Sequence, residues 1–174
     1  MPLTPHEFTF ELLSDTTWPE AWPMLKTAFE EGASYPCPMD MAEEDARTYW
    51  MTAAPGLPKW SFLTRDHDGT ALGTFYIRTD QGGLGDHVCN AGYVVAPGHS
   101  GKGIAKAMCR WSQGRAAELG FKAMRFNLVV ATNLGAIKAW TACGFEIVGT
   151  VHKAFRHRTE GFVDAHIMYR WLGD

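Results

Sequence analysis

A glycine-rich turn joins an apolar run to a helical pattern in GYVVAPGHSGKGIAKAMCRW, residues 92 to 111. Glycine lets a backbone approach a ligand closely and adopt left-handed conformations that other residues avoid. Successive N–H groups in such a turn, together with the N-terminal dipole of the following helix, favour a negatively charged group such as a pyrophosphate. The segment therefore predicts a strand, an anion-binding turn and a helix that begins near Gly103 or Ile104.

Two common phosphate-binding motifs do not fit this turn. A P-loop requires Ser or Thr after its Gly-Lys pair, whereas Lys102 is followed by Gly103, and Ala96 stands where the motif's first glycine should be. A Rossmann fingerprint requires Gly or Ala where Lys106 stands, and an acidic residue about 20 positions further on that the sequence does not supply. An ordinary tight connection between strand and helix stays open as the alternative.

Apolar periodicity and turn residues predict the element order β-α-α-β-β-β-α-β-α-β-β. Asp15, Thr16 and Thr17 offer side-chain caps to the first helix, in which Pro23 predicts a kink or a late start. This order predicts an α/β (α+β) fold with a mixed, largely antiparallel central sheet of about six to seven strands and helices on both faces. We expect a single domain over 1–174. The elements are expected at about 8–13, 18–29, 41–51, 60–65, 70–78, 88–95, 104–119, 123–130, 134–143, 145–152 and 164–171.

Composition excludes several classes of protein. The 174 residues include 20% charged residues, carry a net charge of -3 and contain no basic or acidic block, which argues against a nucleic-acid partner. No apolar run reaches the roughly 18 residues of a membrane span, and the first residues lack the layout of a signal peptide. Four scattered cysteines and seven scattered histidines form no ligand set, so we expect no metal. A cytoplasmic location is the resulting expectation.

Two segments, VVAPGHSGKGIA and TNLGAIKAWTACGFEIVGT, resemble motifs of the GCN5-related N-acetyltransferase superfamily. In that superfamily a strand ending in V-x-P leads into a Q/R-x-x-G-x-G/A turn, whose last two positions match Gly103 and Ala105, whereas Ser100 replaces the long polar side chain. The second motif is a short helix after Asn, followed by Gly-Phe at the start of a strand. Its matching residues are Asn133, Ala136, Ile137, Trp140, Gly144 and Phe145.

The resemblance implies the corresponding fold, acetyl-CoA as acetyl donor and a small-molecule amine as acceptor. It also implies a gap between the fourth and fifth strands, where main-chain groups of Tyr93, Val94 and Val95 contact the donor. Pairing of apolar end strands in a homodimer is implied by the same resemblance. The residues expected to bind the donor are Val94, Val95, Ser100, Gly101, Lys102, Gly103, Ile104, Ala105, Asn133, Ala136 and Trp140.

The catalytic residues are predicted less directly. Many members of the superfamily place an acidic Tyr where this chain has Trp140, whose indole is no useful acid at neutral pH. Tyr93 is expected to act through its main chain, and Asp86 and His87 are candidates for a base that works through water, with simple solvated loop residues as the alternative.

The acceptor site is predicted from three residues. Tyr35 lies in the loop between the first two helices and Trp50 on the second helix, and both are candidates for pocket walls, with loop anchor and core residue as the alternatives. Asn127 lies within RFNLV, where alternation would place Arg125, Asn127 and Val129 on one face. An amide on a central strand needs partners, and an acceptor's amino or carboxyl group would supply them.

Three functions remain open from the sequence. The leading one is an acetyl-CoA-dependent N-acetyltransferase, and FNLV with GFVDAHIMYR further resembles acetyltransferases of azetidine-2-carboxylate and related toxic amino acids, in which the matching Asn contacts the acceptor. The alternatives are a catalytically weak acyl-CoA-binding module and an enzyme that acetylates proteins or peptides. The sequence alone does not name the acceptor.

Overall fold

The computed structural model describes residues 8–173 and contains one seven-stranded sheet flanked by four α-helices. A short 3-10 helix precedes the fourth strand. The elements are, in chain order, β1 Thr9–Leu12, α1 Trp18–Glu30, α2 Glu43–Met51, β2 Lys59–Arg65, β3 Ala71–Thr79, β4 Val88–Val95, α3 Ile104–Glu118, β5 Ala123–Val130, α4 Leu134–Ala142, β6 Glu146–His157 and β7 Gly161–Trp171.

The strand order across the sheet is β1-β2-β3-β4-β5-β7-β6. All neighbouring strands are antiparallel except β4 and β5, which run parallel in the centre. A parallel pair requires a crossover, and α3 supplies it between these two strands. The predicted element order and the mixed, largely antiparallel sheet are both confirmed.

The sheet separates two apolar cores. Successive residues of a strand point to opposite faces, and accordingly Phe75 packs into one core whereas Tyr76 packs into the other. The core on the first face contains α3 and α4 side chains such as Met108, and the core on the second face contains Phe29 and Trp50 from α1 and α2. The predicted helices on both faces are thereby confirmed.

The first helix departs from the sequence prediction at its start. It begins at Trp18 and continues through Pro23, so the late start is wrong. Proline removes only one helical hydrogen bond here, and burial of Leu25 and other apolar residues on the inner face outweighs that loss. The predicted caps are also wrong, because Thr17 at the N-cap makes no capping bond and its hydroxyl instead bonds within the preceding turn to Ser14.

Strand β6 is longer than predicted and forms one edge of the sheet. Its second half has no clear alternation of apolar and polar residues, yet it pairs with β7 as far as His157↔Gly161. The strand exposes Ile147, Val148 and Val151. The homodimer implied by the resemblance stays a prediction.

Candidate active site

Strands β4 and β5 separate after three residue pairs. Their parallel ladder runs from Val88↔Ala123 to Asn90↔Arg125, and no further pair joins them among the described residues. The opening between the two strands belongs to a cleft of about 790 Å³, lined by both strands, the glycine turn, α4 and the loop after α1. The gap that the resemblance implied is therefore present at the C-terminal half of β4.

The buried side chain of Asn90 lies where the two strands separate. Its Nδ2 atom donates to the Arg125 carbonyl over 2.9 Å, and its Oδ1 atom accepts from Arg78 Nε over 3.1 Å. The Tyr76 hydroxyl approaches the same Oδ1 atom to 3.4 Å. Asn90 thus satisfies the β5 carbonyl at the point where the two backbones diverge.

The main chain of β4 alternates between its two neighbours. Ala96 N–H donates to the Leu72 carbonyl beside β3, whereas the His87 carbonyl accepts bonds from the chain that enters β5. Even-numbered residues of β4 therefore bond towards β3, and odd-numbered residues bond towards β5 or the gap. This alternation directs the N–H groups of Tyr93 and Val95 into the gap. It places Val94 in the cleft wall with its main chain on the β3 side, so the main-chain contact with the donor that was predicted for Val94 does not fit this geometry.

The turn before α3 adopts the left-handed conformation at each of its glycines. Gly98, Gly101 and Gly103 have φ values of 78°, 78° and 85°, which favour glycine over other residues. The helix that follows has no side-chain N-cap and no acidic residue in its first turn. Its first four N–H groups have no helical partner, so they form a concentrated set of donors at the cleft. This arrangement fits the pyrophosphate of a nucleotide cofactor.

Most residues predicted to bind the donor line this cleft, with one exception. Lys102 is exposed and is not among the residues that line the cleft, so its contact with the donor stays a prediction, whereas Lys106, Lys138 and His99 were not predicted and do line it. Lys106 lies in the first turn of α3, so its charge adds to the positive end of the helix. The predicted residues that line the cleft are Tyr93, Val94, Val95, Ser100, Gly101, Gly103, Ile104, Ala105, Asn133, Ala136 and Trp140.

Aromatic side chains form the apolar wall below the gap. The Trp140 ring lies 4.9 Å from the Tyr93 ring and 5.3 Å from the Phe126 ring between centroids, and Trp140 is largely buried. The Tyr93 hydroxyl points away from the gap and bonds to Ser112 Oγ on α3 over 2.7 Å. Burial raises the pKa of this phenol well above its ordinary value. Any role of Tyr93 in the gap therefore falls to its main chain.

The loop after α1 is attached to both sides of the gap. The Tyr35 hydroxyl donates to the Tyr93 carbonyl over 2.9 Å, and Asn133 Nδ2 donates to Ser34 Oγ over 3.4 Å. Asn133 also caps α4, because its Oδ1 atom accepts from the Ala136 N–H over 3.1 Å. Tyr35 is thus a wall of the cleft and an anchor of the loop at once.

Asn127 lines the cleft and is held by a buried carboxylate. Its Nδ2 atom donates to Asp80 Oδ1 over 2.7 Å, and the other oxygen of Asp80 is paired with Arg125. The predicted alternation of this strand is wrong beyond Asn127, because a bulge between Phe126 and Val129 turns Val129 into the same core as Phe126. Asn127 itself is exposed to the cleft.

Three other predicted residues lie outside the cleft. Asp86 and His87 are exposed and precede β4, at the end of the strand opposite to the gap. Trp50 is fully buried and donates from Nε1 to Thr74 Oγ1 over 2.9 Å, so it is a core residue. The structure does not bring any of them to the site.

The cleft ends against the paired part of β4 and β5, and we call this its closed end. Four residues that line it there were not predicted from the sequence: Tyr49, Tyr76, Arg78 and Asn90. A weak signal existed for two of them, since Arg78 and Asn90 are polar residues inside apolar strands. In the part of the chain that the structure describes, no group of three or more His, Cys, Asp or Glu could hold a metal ion. Over residues 8–173, no helix is both long and apolar enough to cross a membrane.

Comparisons with known proteins agree with this geometry. The model of the acetyltransferase (GNAT) family matches residues 18–145. The N-acetyltransferase aca1 of Schizosaccharomyces pombe is 32% identical over 169 residues, which cover 90% of this chain and 78% of that protein. Both matches extend over the gap, the glycine turn and α4.

Solved structures show the same fold. A GCN5-related N-acetyltransferase from Kribbella flavida superposes with a TM-score of 0.88 at 34% identity, covering 97% of this chain and 99% of that chain. A phosphinothricin acetyltransferase from Sinorhizobium meliloti, solved in complex with AcCoA, has a TM-score of 0.84 at 19% identity, with 96% and 89% covered. The family model matches most of this chain, and the chain has both sequence motifs and a central sheet that divides between β4 and β5. This chain therefore belongs to the acetyltransferase (GNAT) family.

Proposed function

We propose that this protein transfers the acetyl group of acetyl-CoA to the amine of a small molecule, an amino acid or a toxic analogue of one. The proposal rests on one observation. Two sets of main-chain groups that are not used in regular secondary structure face the same cleft. One is the uncapped N-terminus of α3 after its left-handed glycines, and the other is the β4 edge exposed where β5 departs.

The donor would be held mainly by main-chain groups. The N–H groups of Gly103, Ile104 and Ala105 are suited to the pyrophosphate, because they are not used within the helix and lie at its positive end. The Lys106 side chain lines the same part of the cleft. The loss of a long polar side chain at Ser100 leaves these donors unchanged, so the site fits acetyl-CoA.

The chain's contribution to the transfer step is to position groups and stabilise charge. In the reaction the amine nitrogen bonds to the thioester carbon, the carbon–sulfur bond breaks, and the amine's proton leaves to water while the thiolate departs with CoA. The N–H groups of Tyr93 and Val95 face the gap and are suited to hold the thioester oxygen and the adjoining arm. Asn127, held on Nδ2 by Asp80, offers Oδ1 to an N–H of the acceptor.

A screen for release of CoA thiol tests this function. The purified protein would be given acetyl-CoA with amino acids, proline analogues, polyamines, aminoglycosides and peptides, and we expect turnover with small amines of the first two groups. Turnover with peptides alone would contradict the small-molecule assignment. Tight acetyl-CoA binding without turnover of any amine would contradict the proposed reaction.

Substitution of Trp140 tests whether its side chain acts as an acid. Trp140→Phe is expected to keep most of the rate, because an aromatic ring still packs against Tyr93 and Phe126 and the indole that is lost is no useful acid at neutral pH. The melting temperature should fall, since a smaller ring leaves a cavity. Steady-state rates at saturating acetyl-CoA provide the measurement. A loss beyond about a hundredfold in a folded variant would show that the indole has a direct chemical or steric role.

A further inference from the structure

Four directly opposed residues form a row across the centre of the sheet. Lys59 on β2 is opposite Arg78 on β3, Arg78 is opposite Asn90 on β4, and Asn90 is opposite Arg125 on β5. Residues opposite one another in adjacent strands point to the same face of the sheet. Tyr76, two residues before Arg78, packs into the α1–α2 core, so the row lies on that face. Three cationic side chains are thereby brought together.

Only one of these cations is neutralised within residues 8–173. Arg125 is paired with Asp80, but no carboxylate lies within ion-pair distance of Arg78 or Lys59 in that part of the chain. Arg78 donates from Nε to Asn90, and Lys59 donates to the Tyr49 carbonyl near the end of α2. These neutral partners fix the two side chains without balancing their charge.

The two tyrosines beside Lys59 and Arg78 add no negative charge. Burial raises the pKa of Tyr49 and of Tyr76, so both phenols are neutral. Burial, and then the charge of Arg78, lower the pKa of Lys59 to about 8. A lowered pKa is expected for a lysine that is partly buried and lies beside another cation, here Arg78.

The position of the row separates it from the turn that fits the pyrophosphate. Arg78 is opposite Asn90, and Asn90 precedes Val95 at the far end of β4 by five residues, which is about 16 Å of strand. Arg78, Asn90, Tyr49 and Tyr76 line the closed end of the cleft, on the side of the α1–α2 loop. A ligand at this end would meet Asn127, which lies two residues beyond Arg125 on β5 and lines the same cleft. Among the described residues that line the cleft, the one carboxylate is the exposed Glu31 at the end of α1.

Building on the proposed function, we propose that Arg78, fixed by Asn90, binds the carboxylate of an amino-acid acceptor. The Nε atom of Arg78 is engaged by Asn90, and within residues 8–173 no hydrogen bond uses its two Nη atoms, which suits them to the two carboxylate oxygens. Asn127 on β5 then receives the amine of the same molecule. The acceptor's carboxylate is thereby bound at β3 and its reacting nitrogen at the gap. A polyamine is disfavoured, because it would bring positive charge towards Arg78 and Lys59.

Matched pairs of acceptors test this assignment. L-proline, L-azetidine-2-carboxylate and a panel of α-amino acids would each be compared with the corresponding carboxamide, using release of CoA thiol. The wild-type protein is expected to prefer the acid to the amide in each pair that it acetylates. Arg78→Gln should lower kcat/KM for the acid at least tenfold, mainly by raising KM. The same substitution should change kcat/KM for the amide less than threefold.

Two further variants separate recognition from folding. Arg78→Lys keeps a charge at this position and should restore part of the preference for the acid, which keeps the test decisive if Arg78→Gln does not fold. Arg156→Gln removes an exposed arginine from the edge strand β6 and should leave every kinetic constant unchanged.

Three results would overturn the inference. One is equal turnover of acids and amides by the wild-type protein, which would leave the acetyltransferase function intact while removing the carboxylate site. Another is an equal loss for acid and amide in Arg78→Gln, since a purely structural role predicts that pattern. Absence of turnover with any amine would remove the proposed function together with this inference.

Discussion

Replacing Gly103 with valine is expected to raise the dissociation constant for acetyl-CoA at least tenfold, or about 1.4 kcal/mol. Gly103 has φ of 85° and lines the cleft directly before α3, and a Cβ atom built on it would meet no protein atom within 4 Å. The space around this Cβ atom is open, and we expect a valine side chain there to compete with the pyrophosphate for it. Its branched side chain also disfavours the left-handed backbone that aims the N–H groups. Titration calorimetry provides the measurement.

The matched control for this change is Gly120→Val. Gly120 has φ of 95°, lies just beyond the other end of α3, about 22 Å along the helix, and also has open space around a Cβ atom. It shares the backbone strain without lining the cleft. We expect Gly120→Val to lower stability and to leave acetyl-CoA affinity unchanged. A folded Gly103→Val variant with wild-type affinity would refute the pyrophosphate assignment.

Asn127→Ala is expected to lower kcat/KM for the best amine about 10 to 100 fold, the effect of losing one or two hydrogen bonds that position a substrate. Asp80 fixes the Asn127 amide through Nδ2, so the carbonyl oxygen is the atom left for the acceptor. Acetyl-CoA affinity should stay within about threefold, because the expected donor contacts come from the glycine turn and the main chain of β4. Steady-state kinetics and calorimetry on the same preparations measure both effects.

Substitution of Asp80 distinguishes positioning from contact. Asp80→Asn removes the charged acceptor of the Asn127 amide and should lower the same kcat/KM by a smaller factor than Asn127→Ala, with unchanged acetyl-CoA affinity. If Asn127→Ala weakens donor binding and amine turnover equally, or only lowers the melting temperature, Asn127 is a structural residue. The acceptor would then have to be sought around Tyr35.

Features encoded in short stretches of the chain were predicted well. The turn residues between β2 and β3, the glycines before α3 and the apolar spacing of α3 each fix their own local conformation. The element order and the cleft position of Gly103, Asn133 and Trp140 therefore followed from sequence patterns, with the family resemblance. Local patterns failed at Pro23, where burial of the helix face overrides the cost of a missing N–H.

Features that depend on pairing between distant strands were not predicted. The row from Lys59 to Arg125 exists only because the registers of β2, β3, β4 and β5 align four residues that lie far apart in sequence. The bulge that turns Val129 away from Asn127 likewise depends on β7. An aromatic residue near a loop can be either a pocket wall or a core residue, so Trp50 was a candidate for the pocket wall. Only the packing of α2 on the sheet shows that Trp50 is a core residue.

The separation of the two apolar cores by the sheet has a consequence for how such an enzyme diverges. The candidate donor site is built on α3, α4 and the β4 edge, whereas the closed end of the cleft is built on side chains from the α1–α2 face. A mutation in helix α1 or α2 reaches the donor site through the backbone of the shared strands and through the contacts that Ser34 and Tyr35 make with Asn133 and Tyr93. Selection can therefore exchange one acceptor for another while the donor site is retained, and a directed-evolution library aimed at new amines is best confined to that layer.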